Sequence, residues 1–179
     1  RLEKIGKIKN KSTVILDYAH TPDALKTCLQ NLKEQFEDKN ISIVFGCGGN
    51  RDQSKRQIMG KIANDYCNKV YLTDDNPRKE EPKKIRYAIK QSINKSKLYE
   101  IPNRSKAIQK AITNLKLGEV LVVAGKGHEN TQDYGNKKKL FSDKKEIIKN
   151  INIKNKKLSE NLKINILREI SNQNSFSLK

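Results

Sequence analysis

The strongest constraint on the fold of this chain is a regular alternation between short apolar runs and longer amphipathic stretches. The run at residues 119–124 is continuously apolar after Glu119, which is typical of a strand buried on both faces. The predicted strands cover residues 13–17, 41–45, 69–73, 97–101 and 119–124. Strands that alternate with helices in this way predict an α/β fold: a Rossmann-like open, mostly parallel sheet with helices on both faces.

The stretches between the strands repeat their apolar residues at helical spacing. We therefore predict helices over residues 22–36, 53–66, 82–93 and 105–117. Thr21 is a suitable cap for the first helix, and Pro22 suits its first turn because a backbone N–H is not needed there. The residues expected to face the core are Leu25, Cys28, Leu29, Leu32 and Phe36 in the first helix and Ile58, Met59, Ile62 and Ala63 in the second.

The remaining segments predict a hairpin and a tail. An edge hairpin is expected over residues 131–141 at the border of the sheet, with its turn at Tyr134, Gly135 and Asn136. The length of the chain suits one domain, which we place at residues 1–150. Residues 151–179 are predicted to form a basic extension, helical at first and then frayed, that packs on the sheet or on a partner. Its helical stripe comprises Leu158, Leu162, Ile166 and Ile170.

Several classes of protein are excluded by the sequence. No apolar run approaches the roughly 18 residues of a membrane span, and the amino terminus lacks the apolar core of a signal peptide, so we expect a cytoplasmic protein without a membrane partner. Cys28, Cys47 and Cys67 are odd in number and form no C-x-x-C pair, so neither a disulfide nor a metal site is expected. Cys47 is predicted to pack at a strand end rather than to act as a nucleophile.

The chain is strongly basic, with a formal net charge of +18. Such a charge fits a nucleic-acid binder, but lysine is scattered over nearly every segment and no aromatic RNA-binding pattern, zinc-finger spacing or arginine-rich arm occurs. We favour a solvated basic surface, which would still attract carboxylated or phosphorylated substrates.

The Gly-rich and charge-dense loops of the strand–helix part all follow predicted strands, and both histidines lie in them. These loops cover residues 17–22, 46–52, 74–78, 102–104 and 125–129. Because ligands of open parallel sheets bind beyond the carboxyl ends of the strands, we predict one composite site along this edge. The loops contain neither a dinucleotide fingerprint nor a Walker-type G-K-[ST] motif, so an ATP-driven reaction would need its phosphate loop from elsewhere.

The charges of these loops suggest a zwitterionic ligand. Arg51 and Arg78 can grip carboxylates with two hydrogen bonds, and Asp75 and Glu129 can accept hydrogen bonds from an ammonium group. Two alternatives stay open. The arginines could instead form surface ion pairs with Asp75 or Asp52, and His20 and His128 could fix turns instead of acting as acids or bases.

The strings DYAHTPDAL, VFGCGGNRDQSKRQIMG, TDDNPRKEEP and VLVVAGKGHENTQ resemble the carboxyl-terminal domain of the Mur ligases, in the branch that adds meso-diaminopimelate to the peptidoglycan stem peptide. The resemblance covers residues 1 to about 146. It implies an ATP-dependent reaction in which a substrate carboxylate becomes an acyl phosphate and is attacked by the amine of the incoming amino acid. It also implies that other domains bind the UDP-N-acetylmuramoyl dipeptide and carry the phosphate loop and most Mg²⁺ ligands. This chain would then be a monomeric domain that binds meso-diaminopimelate, closes over ATP and is inactive alone.

The resemblance also implies roles for individual residues. The residues matched to meso-diaminopimelate binding are Arg51, Asp75, Asn76, Pro77, Arg78, Gly125 and Glu129, with Arg78 selecting for the distal carboxylate. Arg1, Asp17 and His20 resemble positions on the nucleotide side, and no residue of the chain is matched to a catalytic group or a metal ligand. Asn50 and Asn103 depart from the pattern, which usually has Asp at both positions.

Two further functions remain as alternatives. A nucleic-acid-binding module would show affinity that falls steeply with salt in a filter-binding titration. A stand-alone amino-acid sensor would bind diaminopimelate tightly in calorimetry without any other domain.

Overall fold

The structure, a computed structural model, describes residues 2–176, and for residues 170–176 the backbone alone. The strands are β1 (Glu3–Lys7), β2 (Thr13–Asp17), β3 (Ile41–Phe45), β4 (Lys69–Leu72), β5 (Leu98–Glu100), β6 (Val120–Ala124), β7 (Thr131–Asp133) and β8 (Lys138–Leu140). The helices are α1 (Pro22–Gln35), α2 (Lys55–Tyr66), α3 (Pro82–Lys90), α4 (Arg104–Asn114) and α5 (Asp143–Phe176).

Six strands form one sheet in the order β1-β2-β6-β3-β4-β5. The pairs from β2 to β5 are parallel, and only the edge strand β1 is antiparallel to its neighbour. Every residue of β2, β3 and β6 is buried, which explains why these strands are continuous apolar runs. The predicted α/β class and the mostly parallel sheet are confirmed.

Helices cover both faces of the sheet. Helices α1, α2 and α3 pack on one face, and α4 and α5 pack on the other, so that two apolar clusters sandwich the strands. The predicted inward face of α1 is confirmed, and Thr21 caps this helix by accepting a hydrogen bond from the amide of Ala24. For α2 the prediction is wrong at Ile58, which is 50% exposed.

Two other features differ from the sequence predictions. Strand β1 was not predicted, because Glu3–Lys7 contains one large apolar residue and a glycine. The expected hairpin forms, but β7 and β8 make a separate two-stranded sheet instead of extending the border of the main sheet. Its place is fixed by the loop after β4, because the amide of Arg78 donates to the carbonyl oxygen of Asp133.

Helix α5 starts at Asp143 and runs without interruption through residue 150 to Phe176. Its first half packs on the domain through Ile147 and Ile151, and Lys154 donates hydrogen bonds to three carbonyl oxygens at the end of α4. Farther along, Leu162 and Ile166 are exposed. The side chain of Ile170 and the last three residues of the expected frayed end lie outside the described residues. No described helix combines the length and the apolar character that a membrane crossing requires.

Candidate functional site

A cavity of about 500 Å³ lies at the carboxyl ends of β2, β3, β4 and β6, where the sequence predicts a composite site. Strand β6 leads through the hairpin to α5 on one face of the sheet, whereas its neighbours β2 and β3 lead to α1 and α2 on the other face. Diverging connections of this kind open a crevice above the strands, which is the usual ligand position in open α/β sheets.

The cavity brings together most of the predicted substrate-binding residues. Those in its wall are Arg51, Asp75, Asn76, Arg78, Gly125 and Glu129. Pro77 does not line the cavity but packs against Gly49. A Cβ added to Gly49 would lie 1.9 Å from the carbonyl oxygen of Pro77. Of the five predicted loops, only residues 102–104 do not line the cavity.

Arg78 is held in place by backbone contacts. Its φ of 54° lies in the left-handed region, and its Nη1 donates to the carbonyl oxygen of Gly49 at 2.9 Å. A Cβ on Gly48 would lie 2.8 Å from the same nitrogen, so a larger residue at this position would displace the guanidinium group. Gly49, Gly48 and the loop after β4 therefore fix the direction in which Arg78 enters the cavity.

Neither arginine of the cavity pairs with a carboxylate of the described residues. Among the described residues, Arg51 and Arg78 form no ion pair, and in particular none with Asp75 or Asp52. Arg51 is exposed and Arg78 is half-buried. The alternative interpretation as surface ion pairs is therefore wrong, and two guanidinium groups face the cavity without a carboxylate from the described part of the chain.

The cavity wall also holds Asn76 and Glu129, which form a hydrogen-bonded group with the buried Lys126. Nζ of Lys126 donates to Oδ1 of Asn76 at 2.9 Å and to Oε2 of Glu129 at 2.8 Å, and Nδ2 of Asn76 donates to the same carboxylate oxygen at 2.9 Å. Burial alone would raise the pKa of Glu129, but the hydrogen bonds from Lys126 and Asn76 outweigh it and lower this pKa below its ordinary value. Glu129 thus remains a carboxylate that can bind a cation.

Lys126 is fully buried, and the sequence analysis did not single it out. The available signal was its position between Gly125 and Gly127 directly after the apolar run of β6. Both glycines have φ in the left-handed region, +111° and +53°, which sets the turn that directs Lys126 inward.

An ionic centre lies below the cavity. Arg104, at the start of α4, forms two hydrogen bonds with the buried carboxylate of Asp143, at 2.8 and 2.7 Å, and donates a third to the carbonyl oxygen of Ala124. Burial disfavours the charged guanidinium, but Asp143 more than compensates and raises its pKa. Nη1 of Arg104 lies 3.8 Å from Oδ2 of Asp75, and neither atom has a hydrogen-bond partner among the described residues. The loop after β4 therefore rests on a fixed positive charge.

The hairpin clamps the same loop from outside. Nε2 of Gln132 donates to the carbonyl oxygens of Asp74 and Asp75, and the hydroxyl of Tyr134 donates to the carboxylate of Asp74. Burial, with the nearby Asp74 charge, raises the pKa of Tyr134 to about 12. Asp74 also pairs with Arg86. The loop after β4, which forms part of the cavity wall, is thus held by the hairpin and by Arg86.

The comparisons with known proteins agree with this architecture. The model of the family "Mur ligase, glutamate ligase domain" matches residues 1–127. The chain belongs to the Mur ligase family. It is 47% identical over 86% of its length to UDP-N-acetylmuramoyl-L-alanyl-D-glutamate–2,6-diaminopimelate ligase of Rickettsia rickettsii. It is 49% identical over 87% of its length to the enzyme of that name from Buchnera aphidicola subsp. Baizongia pistaciae.

A solved structure of a ligase with this name superposes with a TM-score of 0.78 at 39% identity, over 86% of the chain. The chain spans only about a third of these relatives, 31% of the Rickettsia enzyme and 30% of the Buchnera enzyme. The likeness therefore covers one domain of a larger ligase.

The residues matched to the nucleotide side of Mur ligases differ in position, and of these Asp17 does not line the main cavity. Asp17 lines a second cavity, of about 460 Å³, and its carboxylate accepts hydrogen bonds from the amides of Leu2 and Ala19 at 2.7 and 2.8 Å. His20 lines both cavities. Its Nδ1 lies 2.9 Å from the carbonyl oxygen of Tyr18, as expected for a histidine that fixes a turn. Arg1 lies outside the described residues.

The two departures from the Mur ligase pattern have a simple structural basis. Oδ1 of Asn50 accepts a hydrogen bond from the amide of Lys79, and the φ of Asn50 is 52°, a conformation that Asn tolerates well. Oδ1 of Asn103 caps α4 by accepting from the amide of Lys106. Both positions use a side-chain oxygen as a hydrogen-bond acceptor, which Asn and Asp provide equally.

Of the three cysteines, Cys47 lines the main cavity. All three are free and buried, and burial raises the pKa of Cys47 to about 12, which keeps it a thiol that packs at a strand end as predicted. The described residues contain no group of three His, Cys, Asp or Glu side chains arranged to hold a metal ion.

Proposed function

We propose that this chain is the amino-acid-binding domain of an ATP-dependent ligase that adds meso-diaminopimelate to UDP-N-acetylmuramoyl-L-alanyl-D-glutamate, a cytoplasmic step of peptidoglycan precursor synthesis. The observation that carries this proposal is the cavity itself. It presents two guanidinium groups that pair with no carboxylate in the described part of the chain, Arg51 and Arg78, together with the carboxylate of Glu129.

Both ends of meso-diaminopimelate are zwitterionic, which matches this arrangement of charges. We assign a ligand carboxylate to Arg78, with Arg51 as a second donor, and a ligand ammonium group to Glu129 and Asp75 near Gly125. Lysine has an ammonium group at its distal end but no carboxylate, so it would leave Arg78 desolvated and unpaired. A site built to bind a polar group rejects an analogue that lacks it by roughly 10⁴-fold.

The other components of the reaction are Mg²⁺ and ATP, and the described residues fit them to different degrees. The described residues do not fit a magnesium site, since they offer no cluster of carboxylates, and we therefore assign the Mg²⁺ ligands to other parts of the ligase. We assign Arg1, Asp17 and His20 to the nucleotide side, next to the second cavity. When bound, ATP supplies the phosphoryl group that activates the substrate carboxylate. In our proposal the chain acts as a monomer, and its own residues bind and orient the amino acid, so that it has no ligase activity alone.

The proposal is tested by measuring phosphate release from ATP with the complete protein that contains this chain. We expect release only when UDP-N-acetylmuramoyl-L-alanyl-D-glutamate and meso-diaminopimelate are both present, with kcat/KM for L-lysine lower by roughly 10⁴-fold. The chain by itself, with the same reactants, is the control and should release none. Equal use of L-lysine, or no dependence on an amino acid, would contradict the proposal.

A further inference from the structure

Lys126 stands out among the charged residues because its side chain is fully buried at the end of β6. Burying an ammonium group is unfavourable unless it is paired and hydrogen-bonded. A lysine whose only task was to fill space would be replaced by an apolar residue at lower cost. Its two hydrogen-bond partners, Asn76 and Glu129, are both in the wall of the cavity.

The two carboxylate oxygens of Glu129 differ in their hydrogen bonds. Oε2 accepts from both Lys126 and Asn76, whereas Oε1 accepts no hydrogen bond from the described residues. Oδ1 of Asn76 is also fixed from two sides, by Lys126 and by the amide of Asp133 in the hairpin. One carboxylate oxygen is therefore anchored and the other is available to a ligand.

We propose that Lys126 is a positioning residue for amino-acid binding: it anchors Oε2 of Glu129 and orients Asn76, so that Oε1 of Glu129 is fixed to accept the ammonium group of the ligand. This role rests on the proposed function. Lys126 does not touch the amino acid and acts through Glu129. Pre-orientation of this kind improves affinity because the side chain loses little freedom on binding.

The charges around Glu129 make this role measurable. The positive groups that face it are Lys126 on its own loop, Arg78 on the loop after β4 and Arg104 from α4, and Asp75 is the nearby negative group in the same wall. Burial raises the pKa of Glu129, and the hydrogen bond and charge of Lys126 lower it. Without Lys126 the carboxyl group of Glu129 therefore takes up a proton at a higher pH than in the wild type. A neutral Glu129 binds an ammonium group poorly.

The test is a double-mutant cycle in the complete protein, with Lys126→Met, Glu129→Gln and the double variant. Loss of hydrogen bonds to a charged group should raise the KM for meso-diaminopimelate by about tenfold to 100-fold in each single variant, with kcat changed less than about threefold. Because Lys126 acts through Glu129, the double variant should have a KM close to that of Glu129→Gln alone. In Lys126→Met the KM should also rise more steeply than in the wild type as the pH is lowered.

Lys154→Met is the matched control. Lys154 also donates several hydrogen bonds from a half-buried position, but to the end of α4, away from the cavity. Its loss should lower the melting temperature and leave the KM unchanged. If Lys126→Met fails to fold, Lys126→Gln, which keeps one donor group without the charge, replaces it with the same expectations.

The outcomes separate the inference from the proposed function. Two results would overturn the role of Lys126. In the first, the increase in KM of the double variant equals the product of the increases in the two single variants, Lys126→Met and Glu129→Gln. In the second, Lys126→Met lowers the stability but leaves the KM unchanged. If the wild-type protein does not use meso-diaminopimelate at all, the proposed function fails. If it does, and only Glu129→Gln raises the KM, the proposed function stands without the role of Lys126.

Discussion

Two sets of arginines meet at the carboxyl edge of the sheet, and they differ in their partners. Arg56, Arg86 and Arg104 are buried and paired with carboxylates, whereas Arg51 and Arg78 face the cavity without a carboxylate partner among residues 2–169. The pairs are Arg56 with Glu80, Arg86 with Asp74 and Glu100, and Arg104 with Asp143. The comparison shows that the same residue type holds the loops in place in one set and remains available to a ligand in the other.

The comparison is tested most severely at Arg104. Replacing it by Met leaves the buried carboxylate of Asp143 without a partner, and such a change lowers the free energy of unfolding by about 3–5 kcal/mol. Urea denaturation of the chain measures this effect. Arg104→Met combined with Asp143→Leu removes the unpaired charge and should recover at least half of the loss. A loss under about 1 kcal/mol would mean that the buried pairs do not support the loops.

The cavity arginine Arg78 should behave in the opposite way. Arg78→Ala removes a guanidinium group that donates only to backbone carbonyl oxygens, so we expect the free energy of unfolding to change by about 1 kcal/mol or less. In the complete protein the KM for meso-diaminopimelate should rise about 100-fold, because a ligand carboxylate loses its charged partner. Arg78→Lys should restore part of the affinity. The comparison fails if stability falls strongly and the KM does not change.

The pair of Arg56 and Glu80 sharpens the comparison through its pH dependence. The hydrogen bonds from Arg56 lower the pKa of Glu80 below its ordinary value of 4.5. The ionised carboxylate therefore stabilises the fold fully above pH 4.5, and this contribution is lost as the pH falls through the lowered pKa. Glu80→Gln should lower the free energy of unfolding by about 1–2 kcal/mol at pH 7. Below pH 4.5 the difference in this free energy between the variant and the wild type should become smaller. Urea denaturation at pH 7, 4.5 and 3 checks this expectation, which a constant difference would refute.

The smallest effect is expected where the chain departs from the Mur ligase pattern. Asn103→Asp keeps the oxygen that caps α4, so the free energy of unfolding should change by no more than about 0.5 kcal/mol. The KM for meso-diaminopimelate should stay the same. Thermal unfolding and the ligase assay measure both. A large change in the KM would show that the charge at this position matters to the ligand.

The sequence predicts the sheet well because buried strands must be apolar, and β2, β3 and β6 carry the apolar runs that show it. The composite site follows from the same logic, since loops after parallel strands meet at one edge. Lys126 could not be predicted in this way. A lysine between two glycines looks like a surface residue until its partner Asn76, far away in the chain, is placed beside it. Ile58 misleads for the same reason: its position fits the apolar face of α2, but it lies where the helix borders the cavity.

The most direct test of the account is to follow the side-chain Nε–H resonances of the arginines by NMR while meso-diaminopimelate is added to the chain. Arg51→Lys and Arg78→Lys variants identify the two resonances of the cavity. We predict that the resonances of Arg51 and Arg78 shift with the ligand while those of Arg56, Arg86 and Arg104 stay in place, and that L-lysine has little effect. Unchanged Arg51 and Arg78 resonances at saturating ligand, or equal shifts in the paired arginines, would contradict the division between structural and ligand-binding arginines.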